Sequence, residues 1–225
     1  MAVLHTHDIC NYDFRDDNVV IELASKIKKM TVDNNILLTI HCDQFHVIAT
    51  DREQVLQNTI KGLEYHCDLM DMLGIKYNCI HLGSKKGGIE AGKERFVNNF
   101  LRLPKRIQKS LMIENDDKSY NVEDILEICE LLDIPMCYDF HHSRILPSPH
   151  NDSYYIDRII STWANNEPIG HISSSADEDR IISKHHDYIS LNDYNNVVSI
   201  TRGKINLELE CKQKDIALLN LLDNI

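Results

Sequence analysis

Six short, mostly apolar runs recur along the chain, and longer amphipathic stretches fill the intervals between them. The runs are Ile36–His41, Tyr77–Leu82, Leu111–Asn115, Pro135–Phe140, Pro168–Ser173 and Ile205–Cys211. Most are too apolar to keep one face wet, as expected of parallel strands covered on both sides. Strict alternation of such strands with helices confines the chain to the parallel α/β folds. The intervals carry signals of their own. Across Asp51–Leu73, the residues Leu56, Ile60, Leu63, Cys67 and Met70 draw one apolar helical stripe, and Gly74 stops it. Asn121 with Asp124 forms an N-cap box opening a helix through Leu132. Further helices are predicted over Asp17–Met30, Glu90–Ser110, Asp152–Trp163 and Asp215–Leu222. No repeat, low-complexity tract or Pro/Gly-rich linker interrupts the pattern, so residues 1–225 read as a single domain.

Composition narrows the function classes. With 35 Asp and Glu against 24 Lys and Arg, the formal charge is −11. That balance argues against a protein that coats nucleic acid, because such binding neutralises phosphates with Lys and Arg. It leaves room for an enzyme that meets DNA through one metal-loaded face. No run approaches the ~18 apolar residues of a membrane span. The N-terminus turns polar after Leu4 and lacks a secretory apolar core. An intracellular protein without membrane contact is therefore expected, in the cytoplasm, the nucleus or a virion. The seven cysteines are odd in number, scattered and free of CxxC pairs, which predicts buried thiols in a reducing compartment.

Each strand ends in a residue able to bind a metal, or carries one nearby: His41, His81, Glu114, Asp139 with His142, His171 and Glu210. His185 adds another in a later loop. A lone His at a strand end is usually a hydrogen-bonded core residue. Glu114 alone reads as a helix N-terminal acid, and Glu210 alone as the exposed member of an alternating strand. Jointly they read differently, because the C-terminal ends of all strands of a β/α barrel open onto one face, where active sites lie. A mixed imidazole and carboxylate set suits Zn, Mn or Fe rather than Ca. It also exceeds the needs of one ion, so two or three are expected. Clustered divalent ions serve phosphodiester hydrolysis. The residues thus define a multi-metal hydrolase or isomerase on a barrel.

Seven motifs in order then resemble the UV damage endonuclease family, which shares its barrel with endonuclease IV. They are His41-Cys42-Asp43-Gln44-Phe45, Ile80-His81-Leu82-Gly83, Glu114-Asn115-Asp116-Asp117-Lys118, Asp139-Phe140-His141-His142, His171-Ile172-Ser173-Ser174, His185-His186-Asp187-Tyr188 and Glu210-Cys211-Lys212-Gln213-Lys214. The resemblance implies a metal-dependent endodeoxyribonuclease for DNA repair, acting on damaged double-stranded DNA. It would cut 5′ of a UV photoproduct and leave a 3′-hydroxyl. It implies a divalent cluster, manganese first, with zinc, cobalt or magnesium as alternatives. His41, His81, Glu114, Asp139, His142, His171, His185 and Glu210 take the ligand positions, with Glu114 bridging two ions and His141 either supporting the ligands from behind or purely structural. His7 matches a histidine near the scissile phosphate. Gln44 and Phe45 match the pair pushed into the duplex at the lesion, against the alternative of a core aromatic for Phe45. Lys85, Lys86, Lys118 and Arg144 read equally as phosphate contacts or solvated loop residues.

Three departures accompany the match. The family's His-Pro-Gly-Gln is His-Cys-Asp-Gln here, and a family lysine near the metals is Ile169. The first strand corresponds to the family's third, so the expected fold is an N-terminally incomplete TIM (β/α)8-type barrel of about six units. It is expected as a monomer, or with a partner chain completing the barrel. An apurinic-site endonuclease, a sugar isomerase on the same scaffold and a catalytically inert remnant are the competing readings.

Overall fold

The computed structural model describes residues 12–177 and 179–225. The chain divides into two compact units, Met1–Met112 and Ile113–Ile225.

In the first unit, a 3₁₀ turn at Phe14–Asp16 leads into α1 (Asn18–Asp33), β1 (Thr39–His41), α2 (Glu53–Leu73), β2 (Tyr77–His81), α3 (Ile89–Phe100) and α4 (Lys105–Ser110). Asp17 caps α1 by accepting from the Val19 and Val20 N–H groups, satisfying donors that a helix start leaves unpaired. The α2 stripe is buried at Leu56, Leu63, Cys67 and Met70, and the helix stops at Gly74 in the left-handed conformation. β1 and β2 pair in parallel, with His41 opposite Cys79.

Two expectations need correction here. The helix predicted over Glu90–Ser110 is two helices, because Pro104 lacks an N–H and disfavours helical backbone before it; it becomes the N-cap of α4. The strand predicted from Ile36 begins only at Thr39, and Ile36 and Leu37 stand exposed ahead of it.

The second unit begins within β3 (Leu111–Glu114). It continues through α5 (Val122–Leu132), β4 (Met136–Asp139), α6 (Phe140–Ile145), α7 (Asp152–Ser161), β5 (Ile169–Ile172), α8 (Leu191–Thr201), β6 (Asn206–Leu209) and α9 (Lys214–Leu222). The predicted capping box is present: Asn121 accepts from the Asp124 N–H and Asp124 from the Asn121 N–H. The β3–β4, β4–β5 and β5–β6 pairs are parallel, and the register sets Asp139 beside His171 and His171 beside Glu208. β3, β4 and β5 are buried throughout, as their composition requires, whereas β6 is only partly covered. Gly170 is a packing requirement: a Cβ there would lie 2.7 Å from the Tyr138 carbonyl oxygen. Trp163 is buried under β4 and donates its indole N–H to Met136 O at 2.8 Å.

The sequence patterns did not reveal α6 or α8. The α8 segment is rich in Asn and β-branched residues, which are weak helix formers; its signal is Ser190, which caps it by accepting from the Asp193 N–H. Six parallel strands alternating with helices make an incomplete TIM-type barrel fold. No described helix is long and apolar enough to cross a membrane. The six cysteines among the described residues are all buried, and none of them forms a disulfide.

Candidate metal centre

In the second unit, strand ends bring Glu114, Asp139, His171 and Glu210 together, with one ligand atom from each lying within 4.8 Å of the others. Glu114 closes β3, Asp139 closes β4, His171 lies in β5, and Glu210 follows β6. Both Glu114 and Asp139 are fully buried. The His171 Nδ1 donates to Glu114 Oε1 at 2.8 Å and lies 3.4 Å from Glu210 Oε1. His142 comes from the short helix after β4, and its Nδ1 is 3.6 Å from Glu114 and 3.7 Å from Asp139.

Asp139 shows why a cation fits. Its Oδ1 accepts the His142 backbone N–H at 2.6 Å, which caps α6. Its Oδ2 is buried with no hydrogen-bond partner, an expensive state for a carboxylate oxygen. Asn115 clamps the strand end, donating to Asp139 O and accepting from Asp139 N, each at 2.9 Å. The oxygen is therefore held in place for a partner that the described residues do not supply.

Electrostatics agree. Burial, with Glu114 and Glu210 nearby, pushes the Asp139 carboxyl well above its usual range, although His142 opposes this. Burial pulls His142 down, but Asp139 and Glu114 lift it net above the ordinary imidazole value. His171 is likewise pulled down by burial and lifted further by Cys137 and Glu114. All three groups move toward holding protons, the response to excess buried negative charge. A divalent cation would relieve it, so these residues fit one.

Histidine tautomers point the same way. His142 Nδ1 donates to Asn115 O at 3.0 Å, and His185 Nδ1 donates to Glu210 O at 2.7 Å. In the first unit, His41 Nδ1 donates to Cys42 O at 2.8 Å. A carbonyl can only accept, so each neutral ring keeps its lone pair on Nε2. That arrangement is usual for metal-binding imidazoles. The rings of His41 and His81 lie 5.3 Å apart. His7 lies outside the described residues.

Contacts place two further residues. His141 uses both nitrogens, accepting from Arg144 at 2.9 Å and facing Ile182 O at 2.9 Å. Burial, reinforced by Arg144, brings its pKa down to about 4. Arg144 is not a solvated loop residue. It pairs with Asp193 at 2.6 Å, donates to Ser173 O at 3.1 Å and lies over the Phe140 ring at 4.6 Å.

Gln44 and Phe45 sit on an exposed turn after β1, and Phe45 is 66% exposed, so it is not a core aromatic. Asp43 organises the turn, with Oδ1 accepting from Phe45 N at 2.9 Å and from His46 Nδ1 at 3.0 Å. His46 is buried against His66, ring centres 4.8 Å apart. A Cβ at position 62 would fall 2.2 Å from His46 Nε2, so Gly62 makes the room. His66 in turn meets Asn78 at 3.1 Å, and the Cys42 thiol donates to Asn78 Oδ1 at 3.1 Å.

Sequence reasoning missed Asn115, although it adjoins a candidate ligand. It also missed Glu208, whose Oε2 is 3.3 Å from His171 Nε2. The i, i+2 spacing to Glu210 on one strand was the available signal, since alternate strand residues share a face.

Strand-end carboxylates and imidazoles on a barrel-type fold define a β/α protein with the donors of a metal-binding site. The comparisons place it more narrowly. The family model "UV-endonuclease UvdE" matches residues 4–225, and the chain belongs to that family. The UV DNA damage endonuclease of Bacillus cereus strain G9842 is 32% identical over 99% of this chain and 72% of its own length. The crystal structure of SacUVDE superposes with a TM-score of 0.87 at 29% identity, over 99% of this chain and 78% of that one. Endonuclease IV from Thermus thermophilus, at 14% identity and a TM-score of 0.64 over 92% of this chain and 81% of its own, shares the fold alone.

Proposed function

We propose that this protein is a metal-dependent DNA repair endonuclease that hydrolyses the phosphodiester 5′ of a UV photoproduct and leaves a 3′-hydroxyl. The largely buried Glu114–Asp139–His171–Glu210 cluster, within a chain of the UvdE family, carries the reading. His142 and His185 extend that donor set. His41 and His81 enter it through the family resemblance alone, as does His7 near the scissile phosphate. Two or three divalent ions, manganese first, would supply Lewis-acid stabilisation of phosphate charge and a water acidic enough to attack at neutral pH.

The chain's own residues do the rest. Asn115 holds the Asp139 backbone so that its carboxylate is preset. Glu114, beside both His171 and His142, would help hold the ions. Phe45, exposed at its turn, can fill the gap left by displaced bases, while the Gln44 amide meets an exposed base edge. Four convergent donors and a preset orphan oxygen weigh against a catalytically inert remnant.

The test offers purified full-length protein, loaded with manganese, a panel of irradiated, intact and abasic duplexes and simple sugars. Nicking of irradiated duplex alone, abolished by Glu114→Gln, is the expected result. Nicking retained by Glu114→Gln overturns the site. Cleavage confined to abasic DNA, or turnover of sugars only, overturns the substrate.

A further inference from the structure

The first unit holds a recess whose wall carries none of the candidate metal ligands. A cavity of about 650 Å³ opens between the loop after β1 and the loop after β2, with Thr50, Asp51, Arg52, Ser84, Lys86 and Arg95 in its wall. Three cations face one carboxylate there, in a chain whose acids outnumber its bases 35 to 24. The local sign is opposite to that of the whole molecule, and such a reversal concentrates anions locally.

Both sides of the recess are held from below by α3. Buried Asn99 donates to Ile48 O at 2.7 Å and to Thr50 O at 2.8 Å, fixing the first loop. Arg95 fixes the second, donating through Nη2 to Ser84 O at 3.2 Å and Lys86 O at 2.6 Å. Arg102 meets both oxygens of Glu53, at 2.7 and 2.9 Å, and anchors the start of α2. Walls set in advance reduce what a ligand must order on binding.

The cations retain capacity. Among the described residues Arg95 uses only Nη2, so Nε and Nη1 remain as donors. The Arg52 guanidinium forms no ion pair among the described residues. Lys86 pairs with Asp51 at 2.5 Å, both side chains largely exposed; such a pair contributes little and exchanges readily for another anion.

We propose that this recess binds the sugar–phosphate backbone of duplex DNA, taking a phosphate among Arg52, Lys86 and Arg95. Guanidinium groups match the paired oxygens of a phosphate. The two loops leave β1 and β2 just beyond His41 and His81, so the phosphate belongs to DNA flanking the cut. No base is read here; the contact is independent of sequence and of damage. The proposal rests on the endonuclease reading only for the identity of the polyanion.

Fluorescence anisotropy on full-length protein, with intact and irradiated duplexes across a salt series, tests it. Arg52→Ala should weaken both duplexes by the same factor. It should also make the slope of log affinity against log salt shallower by about 1, as loss of one phosphate contact does. Arg52→Lys should restore most of the slope, and Asp51→Asn should tighten binding to both. Wild-type affinity and slope in Arg52→Ala would overturn the proposal, as would weaker binding by Asp51→Asn. Nicking by the wild type is read in parallel. Duplex binding that depends on Arg52 without any nicking removes the endonuclease reading and keeps the recess. Nicking with binding indifferent to Arg52 does the reverse.

Discussion

Asp139 divides its carboxylate between two tasks. Oδ1 caps a helix, and Oδ2 is left buried and unbonded. An amide in its place still caps through its carbonyl oxygen but removes the buried charge. Asp139→Asn should therefore lower manganese affinity by ten-fold or more, while the metal-free protein melts no lower than the wild type. Elemental analysis and thermal denaturation in chelator read the two effects separately; a parallel loss of both would show a structural role only. His66 shows the converse. Burial, then the neighbouring His46, lowers its pKa from 6.5 to about 4, so the unfolded chain binds a proton more readily than the native one between those values. Stability is then fully present above about pH 6.5 and falls as pH drops toward 4, by roughly 3 kcal/mol at most. Denaturant melts from pH 7 to pH 4 should show that slope, and His66→Asn should flatten it.

At the scale of elements, the turn carrying Gln44 and Phe45 depends on a side chain that departs from the family pattern. Asp43 stands where the family has glycine, and it ties the turn to buried His46 and, through a tilted ring contact, to His66. Asp43→Ala should release the turn. Binding to irradiated duplex should weaken several-fold, while binding to intact duplex and metal content stay unchanged; equal weakening on both duplexes would contradict a role at the lesion. Element boundaries show what a linear pattern can carry. The α2 stripe, its Gly74 stop and the Asn121–Asp124 box were legible because each is a local rule of spacing or capping. α8 was not, since its few buried residues, Val197 and Thr201, leave no periodic stripe. The Glu90–Ser110 segment read as one helix because apolar spacing persists across Pro104, whereas the backbone cannot.

Across the whole molecule, a divalent cation at the Glu114–Asp139–His171–Glu210 cluster would act as a ligand of the folded chain. Ligands that bind only the folded chain raise its stability by about 2.7 kcal/mol at a hundred times their dissociation constant. Manganese at that excess should raise the melting temperature, and chelator should reverse the gain; Asp139→Asn should show neither, and an unchanged wild-type melt would count against a metal site. The alternation of strands and helices, the candidate ligands at strand ends and the family motifs were all written in the sequence, because period, capping and motif order are properties of neighbours along the chain. Only the tertiary structure decided which of those candidates converge. Glu114 and His171 are 57 residues apart yet share a hydrogen bond, and Glu208 joins them through strand register. It also decided that Arg144 is used internally and that Phe45 faces solvent. Burial and partner choice depend on how distant segments pack, and no local pattern encodes them.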